Sequence, residues 1–177
     1  QPTLDPDAGL AVREPEVLRS ESGERQVTLR AAPGSHEVAG RRATTFGYNG
    51  GLPGPTLVVR AGDRLRVRLV NDLGEVTNLH VHGLHVTPED NGDNVFVEVA
   101  PGESFDYEYR LPEDHPPGVY WYHPHHHGHV ADQIFGGLYG AIIVEDPTDD
   151  LDVDRERVMV ISDITLDTGG SLVTPST

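Results

Sequence analysis

The chain has 177 residues, a formal net charge of −16 at pH 7 and no cysteine. The acidic balance argues against binding to nucleic acid or to an anionic membrane surface, because both need basic patches. The lack of cysteine excludes disulfides, thiolate zinc sites, iron–sulfur clusters and a blue-copper site, whose ligand set includes a cysteine.

Short strand-like runs dominate the chain after a polar, acidic stretch at 1–24, which we interpret as an N-terminal arm. The runs alternate apolar and polar residues or are wholly apolar, and glycine, proline and aspartate turns separate them. This pattern predicts an all-β domain over 25–147, built as an antiparallel sandwich or barrel. The predicted strands cover 26–31, 44–49, 64–70, 104–110, 118–122 and 140–144.

The chain beyond 147 differs in composition. Residues 148–154 form an acidic linker, and 157–161 has the apolar character of one more strand. A strand that follows a linker and has no later strand to pair with is typical of the start of another domain. We therefore expect 148–177 to be a linker and the first strand of a second domain that this chain lacks. An unpaired strand of this kind favours a homo-oligomer.

The opening of the chain bears on its location. It begins at Gln1 in a polar stretch that contains proline, and the sequence has no apolar run of about 18 residues. Such a start is typical of a processed secreted protein. We expect a secreted, periplasmic or extracellular location and no membrane span.

Two His-x-His motifs are the main chemical feature of the sequence. Eight of the ten histidines lie at 80–85 or 123–129. Side chains alternate along a strand, so the histidines of one motif point the same way, with Cα atoms about 6.6 Å apart. Two facing pairs supply four imidazoles, which suit zinc, copper, iron or nickel. The predicted metal ligands are His80, His82, His123 and His125.

The other histidines carry weaker signals. His126, His127 and His129 continue the second motif and fit either a solvated loop or a position that supports a ligand. His85 follows the first motif only loosely. His36 and His115 lie in loops without a motif, and we interpret them as structural.

Acidic residues after the first motif are candidates for orienting a metal-bound water or moving protons. Glu89, Asp90 and Asp93 lie there in a glycine-containing loop. For any one of them, a solvated surface carboxylate is the simpler interpretation.

The cupin family also places a His-x-His motif on a β-barrel. Gly74 precedes His80 at a spacing that cupins use. However, the glutamate expected shortly after the second histidine is missing, because Glu89 comes too late. The second cupin motif has no counterpart here, so we rank this interpretation below the next one.

Four stretches of the sequence resemble the N-terminal cupredoxin domain of the multicopper oxidases, the family of laccases, bilirubin oxidases and bacterial cuprous oxidases. The two histidine motifs are the specific part, and together the stretches fall within 44–147 in the family's order. The resemblance implies a cupredoxin-like Greek-key β-sandwich that binds copper. The stretches are 51–57, 62–71, 78–84 and 118–146.

The resemblance also implies roles for individual residues. By the family's pattern, His80 binds the type-2 copper and His82 binds one type-3 copper. His123 and His125 bind the two type-3 coppers, one each. Asp90 or Asp93 matches the family's proton-relay acid, and the register leaves both open.

The family's complete site needs more than this sequence offers. Its copper cluster reduces O₂ to water with electrons relayed from a type-1 copper, and the donor is a phenolic compound or a metal ion. The remaining ligands and the cysteine-bearing type-1 site lie in a C-terminal cupredoxin domain, which nothing here matches. The resemblance implies a domain whose partners are the remaining cupredoxin domains and O₂, and which is not a competent oxidase alone.

Two alternatives stay open from the sequence. The chain could be a stand-alone copper- or zinc-binding module, with its site completed within one chain or across a homo-oligomer interface. It could also be a fragment whose histidines bind metal only adventitiously. Metal titration distinguishes these two, and restoring the missing domains tests the oxidase interpretation.

Overall fold

The computed structural model describes residues 14–21, 23–38, 40–149 and 151–173. Within these ranges the chain forms nine strands and one short helix. The strands are β1 (Val17–Arg19), β2 (Glu24–Val38), β3 (Arg41–Tyr48), β4 (Thr56–Val59), β5 (Arg64–Asn71), β6 (His80–His82), β7 (Ser104–Arg110), β8 (Gly118–His123) and β9 (Gly140–Val144), and α1 is Val130–Gly136.

The strands form two sheets that enclose one hydrophobic core. The five-stranded sheet has the order β1-β4-β9-β8-β6, and the four-stranded sheet has the order β3-β2-β5-β7. Apolar side chains of both sheets meet in a single cluster. The prediction of an all-β, cupredoxin-like sandwich is confirmed, and each of the six predicted runs falls on a strand.

The strand directions differ from the purely antiparallel arrangement that we expected. Three neighbouring pairs are parallel: β1 with β4, β2 with β5, and β4 with β9. The alternation of apolar and polar residues has a period of two in either direction, so it cannot report direction. Both sheets are therefore mixed.

The strand faces follow the sequence pattern. Leu65, Val67 and Leu69 are fully buried. The arginines between them lie on the outer face of the four-stranded sheet, where Arg66 pairs with Glu108 and Arg68 pairs with Asp106. The arginine row is thus a solvated, charge-paired face and not a binding patch.

Two segments depart from the expected order. The stretch assigned to an N-terminal arm contains β1, although residues 1–13 and 22 lie outside the described part. The segment 157–161, expected to be the first strand of a further domain, pairs with no strand among the described residues, and the side chains of Met159 and Ile161 are 80% and 89% exposed. A strand needs a partner for its backbone hydrogen bonds, so pairing of this segment within a further domain stays a prediction.

Helix α1 was not predicted, because seven residues are too few to show a helical period. It follows the second histidine motif, and Gly136 at its end lies against Phe46 of β3. In the part of the chain that the structure covers, no helix has the length and apolar character needed to cross a membrane.

Candidate metal centre

The two histidine motifs lie side by side on neighbouring antiparallel strands. β6 is an edge strand of the five-stranded sheet and pairs with β8, so that His80 lies opposite His123 and His82 lies opposite Trp121. Val81 and Tyr122 point into the core, where they are 1% and 0% exposed. Because side chains alternate, the histidines project together from the outer face.

Three histidines form a group whose nitrogens can reach one another. One ring nitrogen each of His80, His82 and His123 lies within 4.8 Å of the other two. Nδ1 of His82 and Nε2 of His123 are 3.4 Å apart. Two nitrogens bound to one ion at about 2.0–2.1 Å and at a tetrahedral angle are separated by about 3.4 Å. His82 and His123 are therefore spaced to share one metal ion.

The protonation state of His123 suits metal binding. Its Nδ1 donates a hydrogen bond to the carbonyl oxygen of Pro124 at 2.8 Å, which leaves the lone pair on Nε2. Burial is the main cause that lowers the pKa of His123 to about 4, and the neighbouring imidazoles lower it further against the opposing effect of that carbonyl. The imidazole is neutral at pH 7, as a ligand must be.

Asp93 fixes the ring of His80. Its carboxylate accepts a hydrogen bond from Nδ1 of His80 at 2.9–3.0 Å and another from the backbone N–H of Val81 at 3.0 Å. A carboxylate that accepts from Nδ1 directs the Nε2 lone pair toward the metal, which is a common support for ligating histidines. Asp90 and Glu89 are exposed, so the structure brings only Asp93 to the histidines.

His125 lies at the border of the group. Its ring centroid is 5.2 Å from that of His80 and 6.1 Å from that of His123. It is not a member of the three-histidine group, but its Nδ1 is buried without a hydrogen-bond partner among the described residues. A structural histidine normally has hydrogen-bond partners for its buried ring nitrogens. The unpartnered nitrogen of His125, beside three convergent imidazoles, therefore fits a fourth ligand of a metal cluster better.

Residues that the sequence analysis did not single out hold the motifs in place. Asn78, fully buried, accepts a hydrogen bond from the backbone N–H of His125 and donates one to Val95. Gln133 of α1, also fully buried, accepts from the hydroxyl of Thr77 at 2.7 Å. The available signal was a polar residue two positions before the first motif, because an amide buried there must find hydrogen-bond partners.

Trp121 covers the outer side of the histidine group. Its ring centroid is 4.0 Å from that of His123 and 5.3 Å from that of His82, at interplanar angles of 31° and 28°. The indole is 37% exposed. It limits the orientations of both imidazoles and excludes water from one side of them.

The remaining histidines do not join the group. His36 contacts Thr45 and Gly50 through its two ring nitrogens. His115 is buried and contacts the backbone of its neighbours, as a structural histidine does. His126 and His129 contact glutamates instead, and His127 is exposed.

The donor set fits copper. All four candidate ligands are imidazole nitrogens, which copper, zinc, iron and nickel accept. The spacing of His82 and His123 and the unpartnered Nδ1 of His125 are the structural observations in favour of a bound metal cluster. No cysteine is present to build a type-1 site in this chain.

Comparison with known families gives a match over most of the domain. A family model described as "Multicopper oxidase" matches residues 31–149. This range contains both histidine motifs and eight of the nine strands in whole or in part.

Similar proteins carry the same name. The chain is 36% identical over 136 residues to "Multicopper oxidase mco" of Staphylococcus haemolyticus, which covers 75% of this chain and 30% of that protein. It is 32% identical over 169 residues to "Multicopper oxidase MmcO" of Mycobacterium tuberculosis, which covers 93% of this chain and 32% of that protein. The chain thus spans about a third of the length of these relatives.

The fold matches solved structures as well. The crystal structure of McoA multicopper oxidase from Aquifex aeolicus superimposes with a TM-score of 0.78 at 27% identity. The match covers 94% of this chain and 38% of that protein.

Proposed function

The chain belongs to the multicopper oxidase family, and from this we propose that it supplies half of the histidine ligands of a trinuclear copper cluster. The observation that carries the proposal is the convergence of His80, His82 and His123 on one face of two paired strands. His125 borders that group with a buried, unpartnered nitrogen.

The geometry supports a division of labour among the four histidines. His82 and His123 are spaced for one shared ion, which corresponds to one type-3 copper. His80, whose Nδ1 is held by Asp93, keeps Nε2 free for a metal and corresponds to the type-2 site. His125 remains for the second type-3 copper. We assign all four as ligands on this basis.

Bound copper supplies the redox centre at which an oxidase of this family reduces O₂ to water. The residues of this chain orient and protect that centre. Asp93 holds His80 in the tautomer that leaves Nε2 free, Asn78 holds the backbone of His125, and Trp121 shields His82 and His123. Asp93, and not Asp90, is the residue that we propose as the proton relay, since only Asp93 reaches a ligand.

Further cupredoxin domains are the proposed partners of the histidine face. Two exposed apolar side chains lie near the group: Val119, on the same face of β8 as His123, is 78% exposed, and Phe96, beside His127, is 82% exposed. A face that combines metal ligands with exposed apolar groups fits burial against a protein surface. The remaining ligands and the type-1 copper, and with them the site for a phenolic or metal-ion donor, would come from such domains.

The location and the alternative role follow from the same proposal. We propose a secreted or periplasmic location for the protein. A stand-alone metal-binding module is less favoured, because among the described residues only three ligand nitrogens converge at the histidine group.

Copper loading tests the proposal. The chain is loaded with copper and desalted, and both metal content and molecular mass are measured. We expect copper to be lost from the chain alone and retained when it is combined with the C-terminal domains of a similar oxidase, with O₂ consumption appearing only in the combination. His80→Asn abolishes both effects, whereas His127→Asn, on the same surface, leaves them unchanged. Copper held tightly by an isolated monomer would support the stand-alone module instead.

A further inference from the structure

A second cluster of histidine and glutamate side chains lies beside the candidate centre. It consists of His126 and His129 from the loop that leads into α1, Glu75 from the segment before β6 and Glu98 from the loop that precedes β7. Nε2 of His126 is 3.3 Å from a carboxylate oxygen of Glu98, and Nδ1 of His129 is 3.1 Å from one of Glu75. The two imidazole centroids are 5.5 Å apart.

These distances match those between ligands of one ion. Two ligand atoms at about 2.0–2.2 Å from a metal, at angles between a right angle and the tetrahedral value, are about 2.9–3.5 Å apart. Both nitrogen–oxygen pairs fall within that interval. Two imidazoles on one tetrahedral ion have centroids about 5.2 Å apart, which is close to the separation of His126 and His129.

Three of the four side chains in the cluster, those of His126, His129 and Glu75, are about two-thirds buried or more. His126 is 16% exposed, and its Nδ1 is buried without a hydrogen-bond partner among the described residues. Glu75 is held in place, because Gln133, which is fully buried, donates a hydrogen bond to its other oxygen at 3.1 Å. Nε2 of His126 thus faces Glu98, its Nδ1 is unused, and Glu75 is fixed beside His129.

The ligand atoms of this cluster lie further apart than those of the candidate centre. Within the described ranges, the candidate centre is the only group of three such residues whose ligand atoms all lie within 4.8 Å. Glu98 is 72% exposed and free to move, whereas His129 and Glu75 are about two-thirds buried. An ion bound by the His129–Glu75 pair would draw His126 and Glu98 inward.

We propose that His126, His129, Glu75 and Glu98 form a second site for one zinc ion. Two neutral imidazoles and two carboxylates balance the divalent charge and are ligand types that zinc accepts. All four ligands belong to this chain, so the site works without a partner domain. The second site therefore goes beyond the proposed function, because the first histidine group needs ligands from other domains and this site does not.

Zinc titration of a variant without the first group tests this site. In the full chain carrying H80N, H82N and H123N, calorimetry with Zn²⁺ alone should show one ion per chain. Adding H126N and H129N should remove that binding, and E75Q should weaken it by about 10-fold or more. H127N serves as the matched control, because His127 lies in the same loop outside the cluster, and it should leave zinc binding unchanged.

Two outcomes would overturn the second site. One is the absence of zinc binding in the triple variant while its circular dichroism still matches the unmodified chain. The other is zinc binding that H126N and H129N leave intact. If the triple variant fails to fold, the same test is made in the unmodified chain, where H126N and H129N together should lower the zinc content by one ion. Copper loading at the first group is measured separately, so failure of one site does not count against the other.

Discussion

The backbone N–H of His125 donates a 2.6 Å hydrogen bond to Oδ1 of Asn78, across 47 residues of sequence. Nδ2 of the same asparagine donates to the carbonyl oxygen of Val95 at 2.7 Å. One fully buried amide thus joins the approach to the first histidine motif, the loop that carries Asp93 and the second histidine motif.

Replacing Asn78 should disturb both stability and copper binding. Asn78→Ala leaves the His125 N–H and the Val95 carbonyl without their partner, which should cost about 2–4 kcal/mol of unfolding free energy. Urea unfolding measures this loss, and copper retention in the complemented oxidase measures the displacement of His125. Asn91→Ala is the control, because Asn91 is exposed and makes one 3.3 Å side-chain bond. Equal losses for the two variants would contradict the role of Asn78.

The buried imidazole of His123 should make the metal-free chain less stable in mild acid. The pKa of His123 is about 4 in the folded chain and near 6.5 in the unfolded chain. Between these values the unfolded chain binds a proton that the folded chain does not, so the unfolding free energy falls as the pH drops. The shift corresponds to on the order of 3 kcal/mol, fully lost below about pH 4.

Urea unfolding of chelator-treated protein, at several pH values between about 7 and about 4, measures this dependence. Carboxylates also titrate in this range, so the comparison is with His123→Gln. The variant should show a shallower fall in stability with decreasing pH. Parallel curves for the two proteins would exclude His123 as the source.

Gly140 should not tolerate a side chain. A Cβ at this position would overlap the hydroxyl of Tyr122, which donates a 2.7 Å hydrogen bond to Pro55 and precedes His123 in β8. We expect Gly140→Ala to cost about 1–3 kcal/mol through overpacking. Gly74→Ala is the matched control, since a Cβ there meets no heavy atom within 4 Å, and its effect should stay within about 1 kcal/mol. Thermal unfolding of both variants provides the comparison, and similar melting temperatures would refute the clash.

Asp93 and Asp90 should differ in their effect on the metal site. Asp93→Asn keeps an acceptor for the Val81 N–H but weakens the bond that fixes the tautomer of His80. We expect copper affinity at His80 to fall by about 10–100-fold. Asp90→Asn should have no effect, because Asp90 is exposed. Electron paramagnetic resonance of the copper-loaded complemented protein detects the change, and an unchanged type-2 signal in Asp93→Asn would count against the assignment.

The sequence was sufficient for the fold class. The two-residue period of Leu65, Val67 and Leu69 predicted a buried face correctly, because local periodicity is visible in a single sequence. The convergence of His80 and His82 with His123 joins segments about 40 residues apart, and the resemblance to a known family, not periodicity, implied it.

Other features depended on contacts between distant segments. The alternation of apolar and polar residues does not encode the direction of a strand, so the parallel pairing of β2 with β5 could not be foreseen. The choice of Asp93 over Asp90 depends on the turn that brings one carboxylate to His80. The segment at 157–161 has the composition of a strand but no partner beside it, and composition alone does not supply one.

The packing of Trp121 against His82 and His123 gives the protein a built-in optical sensor. Trp121 is the only tryptophan in the chain, so all indole emission comes from this one position. Its ring lies 4.0 Å from the ring of His123, within the range at which a bound copper ion quenches fluorescence. Loading of the first histidine group can therefore be followed by emission intensity without a label, while zinc bound by His126 and His129 leaves that emission largely unquenched.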